Sequence, residues 1–252
     1  WLKWLVPCDL LHASLHDGFL HSNCSCRGLW TAVPARMAVT GCFLVVVSCL
    51  AKIIAAQDGQ ALVQQGMQAF RQGSVEQSVR LFDAAATAGY PKALLWQRGL
   101  SLYYAERFED GAAQFRQDVE LNPNDTEESI WAFLCEARLF GFEEARKQML
   151  VVGRDPRPVM HTVYLMFRGE DDVEKALALQ KHARAGGSDE FYAALYLGLF
   201  AEAKGDATEA KRWIAKATAS GYARSSKDYM ADLAFVHEKL RGWSASASKT
   251  DL

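Results

Sequence analysis

The sequence predicts an all-α protein, an α-α superhelix of about five helical hairpins followed by a C-terminal capping helix. Three observations predict it. A five-residue phrase returns along the chain as SVEQS at Ser74, RFEDG at Arg107, GFEEA at Gly141, DVEKA at Asp172 and DATEA at Asp206. Its last residue is always small (Ser78, Gly111, Ala145, Ala176, Ala210), at spacings of 33, 34, 31 and 34 residues. A glycine series leads it, Gly66, Gly99 and Gly198, spaced by 33 and then 99. Between these markers apolar residues recur at three- and four-residue steps, as Leu95, Gly99, Leu102 and Tyr103 do, which is helical spacing. Small residues in both series let two crossing helices bring their backbones together.

The first helices of the hairpins are expected near 60–71, 92–105, 126–139, 157–168 and 189–204. Their partners are expected near 75–87, 108–121, 142–152, 172–184 and 207–219. Boundary residues agree with the division. Asp125 with Glu128 three residues on can form a reciprocal N-terminal cap, and Asp155 before Pro156 offers an N-cap with proline at the first helical position. Gly169, Gly186-Gly187, Gly205 and Gly221 fall where helices must stop. From Ser226 to Leu240 one more helix carries Tyr229, Leu233, Val236, His237 and Leu240 on one side, and is expected to cap the open end of the stack. Residues 242–252, with WSASASKTDL from Trp243, read as a disordered tail.

The repeat region is thus 57–241, and what precedes it is different. Met37 is followed by AVTGCFLVVVSCLAKIIAA, an apolar run ending in two small residues. Residues 37–56 read as a secretory signal peptide cleaved after Ala56, or as a retained anchor helix. Residues 1–36 read as a pre-sequence, or as an upstream leader if Met37 is the start. The expected location is the secretory pathway, lumenal or extracellular, with a plastid or a membrane-anchored position as the alternative.

Composition narrows the function. The net charge is −2, and residues 57–252 hold 24 basic against 28 acidic groups with no basic stripe, so no nucleic-acid footprint is present. Five of the six cysteines precede residue 50, leaving Cys135 alone in the repeat region, where packing rather than a disulfide must supply stability. Neighbouring acids such as Glu127-Glu128, Glu143-Glu144 and Asp171-Asp172 sit at first helical turns, where carboxylates favour the helix dipole and point apart. No phosphate loop, nucleophile elbow or metal-binding helix motif is present, so no catalytic residue, metal ligand or cofactor is expected. His161, His182 and His237 each stand alone and read as surface or partly buried imidazoles.

The stretch KALLWQRGLSLYYAERFEDGAAQFRQDVELNPND resembles a tetratricopeptide repeat. Gly99 matches the small residue of the first helix, Phe108 the aromatic at the turn, Phe115 the large residue of the second helix and Pro123 the terminal proline. Residues 191–223, with Leu197-Gly198, Gly205-Asp206, Ala210 and Ala217, resemble another such unit. Gly111 stands where the family usually has alanine, and the third unit is one residue short before Gly141. Longer phrases such as WQRGLSLYY and NPNDTEESIW are similar to plant and algal repeat proteins, some of them plastid-targeted.

The resemblance implies a non-catalytic scaffold that binds another protein, as a peptide or helix, in a concave groove lined by first helices. By helical phase that groove would present Trp96, Leu100, Tyr103 and Tyr104, then Glu128, Trp131, Cys135 and Arg138, then Tyr192, Leu195 and Glu202. Tyr104 and Arg138 are expected to be its accessible members. Arg154, Arg157 and His161 form the densest polar constellation and read either as a helix cap or as an anion site beside a helix N-terminus. Asn124-Asp125-Thr126 is a glycosylation sequon should the chain enter the secretory route.

Overall fold

The crossing rule expected from the small residues holds at three of the five hairpins in the computed structural model, which describes residues 57–244. The leader-like segments 1–36 and 37–56, and residues 245–252 of the tail, lie outside the described residues. A Cβ added at Gly66 would come 3.1 Å from the Phe82 ring, one at Gly99 would come 2.6 Å from Phe115, and one at Gly198 would come 2.8 Å from Ile214. Each large residue lies sixteen positions after its glycine, so one register is used three times. Twelve positions after each glycine sits the small residue of the phrase. Ser78 Oγ donates to the Gly66 carbonyl at 2.8 Å, and Gly111 faces the Gly99 carbonyl. Gly111 replaces alanine for a visible reason, since a Cβ there would lie 2.9 Å from Cys135 Sγ.

The described residues form helices and contain no strand. In chain order they are α1 (57–71), α2 (Val75–Thr87), a 3-10 turn (Lys92–Leu94), α3 (Trp96–Tyr104), α4 (Phe108–Leu121), α5 (Thr126–Phe140) and α6 (Phe142–Lys147). Then follow α7 (Pro158–Arg168), α8 (Asp172–His182), α9 (Gly187–Ala203), α10 (Ala207–Ala219), α11 (Gly221–Ser225) and α12 (Tyr229–Leu240). Pairs α1–α2 to α9–α10 make five successive hairpins in an all-α superhelix, and α12 closes the last of them by packing on α10 and α11.

Four local expectations are corrected. The helix expected over 92–105 is interrupted at Leu95 (φ −99°, ψ 51°), and Gln114 Nε2 donates at 2.8 Å to the Lys92 carbonyl, which also accepts from the Leu95 N–H. The helix expected over 142–152 ends at Lys147. The chain that follows is held without helical bonds: Ser129 Oγ donates to the Leu150 carbonyl at 2.8 Å, and the Val152 N–H donates to Tyr164 Oη at 3.2 Å. The N-cap of α7 is Arg157 with Pro158 at the first helical position, rather than Asp155 with Pro156. Gly221 is not only a stop, because Ser220 accepts from the Ala223 N–H at 3.1 Å and starts the short helix α11.

The cap expected at Asp125 forms, and Asp206 supplies one that was not singled out. Asp125 accepts from the Glu127 N–H at 3.0 Å, and Asp206 accepts from that of Glu209 at 3.0 Å. Between α3 and α4 a polar group is buried: Arg98 donates to Gln114, which donates in turn to Asp118 Oδ1 at 2.9 Å. Burial pushes the Asp118 carboxyl up to about 7.

Candidate functional site

The first helices pack on one another in succession, α1 on α3 through Phe70 and Tyr104 and then α3, α5, α7 and α9, and the expected groove residues lie along the face they share, called the inner face. Most of them are buried. Leu100 and Leu195 are wholly enclosed, Tyr103, Trp131, Glu128 and Tyr192 are buried, Trp96 and Glu202 are half-buried, and Arg138 is exposed with its guanidinium 4.7 Å over the Phe108 ring. Tyr104, expected to be accessible, is only 7% exposed. Cys135 is enclosed and its thiol is pushed up by burial, which makes it inert.

The cause is α12. This helix caps the last hairpin and also runs along the inner face to the first two. The Tyr229 ring stacks on Phe70 at 5.4 Å and meets Trp96 edge-on at 5.5 Å. Tyr104 Oη and His237 Nδ1 share a hydrogen bond of 2.8 Å, and the Arg241 guanidinium lies 5.7 Å over the Tyr104 ring. His237 Nε2 faces Glu202 Oε2 at 3.3 Å, and Glu202 also pairs with Arg241. Further out, Arg71 Nε meets Asp232 at 2.6 Å and Lys239 Nζ donates to the Gln72 carbonyl at 2.8 Å. Four expected groove residues, Trp96, Tyr104, Tyr192 and Glu202, are therefore covered by residues of this chain from Asp228 to Arg241.

A second network holds the start of α12. Asp228 Oδ1 caps the helix by accepting from the Met230 N–H at 2.9 Å, while Oδ2 accepts from Tyr192 at 2.6 Å and Tyr222 at 2.8 Å. Tyr192 stacks parallel to Tyr196, whose hydroxyl donates to Glu127 Oε1 at 2.8 Å. Arg157 completes the network. It donates to both oxygens of Asp155 at 3.0 and 2.7 Å, to Glu127 Oε2 at 2.8 Å, and lies over the Tyr192 ring. Burial and the Glu127 carboxylate raise the Tyr196 phenol well above its usual range. Burial also raises the Glu127 carboxyl against the pull of Arg157.

Arg157 is thus spent on internal carboxylates rather than held open for an external anion. Arg154 is exposed, His161 is half-buried, and the expected anion constellation of the three does not assemble around Arg157. His237 is corrected as well, from a surface or partly buried imidazole to one wholly enclosed. Burial, followed by the nearby Arg241, pushes it down to about 3 and keeps it neutral.

Sequence reasoning did not single out Asp228, Tyr196, Arg241 or the part played by His237. One signal was available. Met230, Ala231 and Ala234 supplement Tyr229, Leu233 and Val236, so α12 is apolar around most of its circumference, as a helix packed on several sides must be.

Among the described residues, no helix is long and apolar enough to cross a membrane, and no group of three or more His, Cys, Asp or Glu side chains could hold a metal ion. No protein-family model matches the chain, and no curated protein matches it.

Proposed function

We propose that this chain is a non-catalytic protein-binding scaffold of tetratricopeptide-like build, whose inner face receives an amphipathic helix of another protein. The seating of α12 carries the reading. The face offers aromatic surfaces at Phe70, Trp96 and Tyr104, a hydroxyl at Tyr192 for a capping carboxylate, and the Glu202 carboxylate for a cation one turn beyond the last apolar contact. Such a set recognises a helix with an acidic N-cap, an aromatic first turn and a basic C-terminal end. The partner is accordingly a helix segment built like residues 228–241. The ionisable groups of the inner face support a binding role over chemistry, because Arg157, Tyr192 and Tyr196 are bonded to other side chains of the chain itself. The leader-like run over 38–56 supports a lumenal or extracellular place of action.

A fluorescent peptide of residues 226–243 tests the reading by anisotropy against the full chain. α12 competes for the face at an effective concentration of about millimolar, so the peptide is measured against both the native chain and Tyr229→Ala, which weakens the competitor's hold on Phe70 and Trp96 and leaves the face intact. Saturable binding is expected, stronger to Tyr229→Ala and weakened by Trp96→Ala placed in that background. No binding to either chain, or binding that ignores Trp96, overturns it.

A further inference from the structure

Among the contacts between α12 and the inner face, the imidazole of His237 stands apart. It is fully enclosed at the junction of α3, α9 and α12. The groups that face it are the Tyr104 hydroxyl from α3, the Glu202 carboxylate from α9, the Arg241 guanidinium beyond the end of α12, and the Trp243 ring at 5.3 Å. Nδ1 shares the hydrogen bond with Tyr104. Nε2 and Glu202 Oε2 face each other at 3.3 Å, yet both are buried with no hydrogen-bond partner, so they are not aligned. A second buried polar atom on the same helix, Tyr229 Oη, is also without a partner. Each such atom weakens docking relative to a fully satisfied seam.

We propose that α12 is a releasable latch over the inner face, closed while His237 is uncharged and let go when His237 takes a proton. This rests on the reading of the inner face as a helix-docking surface. Protonation in place would set an enclosed imidazolium, stripped of its water, beside the like charge of Arg241, and the one carboxylate that faces it, Glu202 at 3.3 Å, is already shared with that guanidinium. Released, the same imidazole is hydrated and titrates at its ordinary value. The docked value lies below the released one, so docking keeps its full strength above about pH 6.5 and loses it as the pH falls toward 3. Between pH 7.5 and 5.0 the docking equilibrium is expected to fall about thirtyfold.

The test uses the full chain. Amide hydrogen exchange, corrected for intrinsic rate, is followed at pH 7.5 and 5.0. Protection of residues 229–240 should drop about thirtyfold while that of α4 and α5 holds, and His237→Gln, which can still accept from Tyr104, should lose the drop. No drop in the native chain, or the same drop in His237→Gln, overturns the latch. Should His237→Gln fail to dock at neutral pH, NMR titration of the native imidazole decides. A value well below 6.5 sustains the proposal and one at or above 6.5 ends it. The labelled peptide of residues 226–243 carrying His237→Gln separates the two readings. Release with tighter capture at pH 5.0 supports both, whereas release without capture keeps the latch and removes the docking surface.

Discussion

Hairpins α1–α2, α3–α4 and α9–α10 cross on a glycine, and the two between them do not. Twelve residues before the small residue of the phrase, where the outer hairpins have Gly66, Gly99 and Gly198, the third has Phe133 and the fourth Tyr164. Neither position can offer the bare backbone that a glycine gives. The second helices respond: α6 is six residues long, and α8 buries only Leu179 along its length while Val173 and Leu177 stay exposed. What replaces close crossing in the middle is arginine. Arg146 lies over Phe142 and donates to the Phe167 carbonyl, Arg116 pairs with the buried Glu136, and Arg157 ties Asp155 to Glu127. A planar guanidinium spans a gap that two apolar surfaces cannot close, and gives several directed bonds in return. One architecture therefore uses two chemistries, glycine crossings at the first, second and fifth hairpins, the second with the buried Arg98 group besides, and arginine clamps alone around the middle two.

The largest expected effect strikes the centre. Arg157→Met leaves the Asp155 side chain enclosed without its guanidinium and strips Glu127 of its cation, at a cost of about 3–5 kcal/mol. Urea unfolding at pH 7 reads the loss. A cost below about 1 kcal/mol, in the range of a surface pair, would mean that the middle hairpins do not depend on their clamps. At the ends the matching test is steric. Gly99→Leu drives a branched side chain into the Phe115 ring and should cost about 3 kcal/mol, and adding Phe115→Ala should recover part of it. Unfolding midpoints of the two variants check this, and a double variant no more stable than the single one would show that the crossing does not depend on that pair.

This division explains what the sequence made legible. The glycine crossings are local events repeated at a fixed interval, so Gly66, Gly99 and Gly198 with their phrases were enough to place them. The end of α6 was not legible, because Met149, Leu150 and Val152 continue a helical apolar spacing. Only the distant Ser129 and Tyr164, which satisfy the backbone at Leu150 and Val152, make the non-helical path affordable. The inner face was half legible. Its residues were identified by helical phase, but what covers them was not, since no short-range pattern states which surface a terminal helix will choose. Trp96 and Tyr104 meet their partners, Tyr229 and His237, more than a hundred positions away in the chain.

The small residues of the phrases give the finest test of the two chemistries. Ala210 is wholly enclosed in a glycine-crossed hairpin, opposite Gly198, whereas Ala176 occupies the same repeat position in a clamped hairpin and is half-exposed. Leucine is as good a helix former as either position needs, so propensity cannot separate the two substitutions. Packing can. Ala210→Leu must displace its neighbours and should cost about 1–3 kcal/mol, while Ala176→Leu has open volume on one side and should stay within about 0.5 kcal/mol of the native chain. Denaturant unfolding of both variants measures the contrast. Equal costs would mean that the small residue of the phrase is packed as tightly in α8 as in α10.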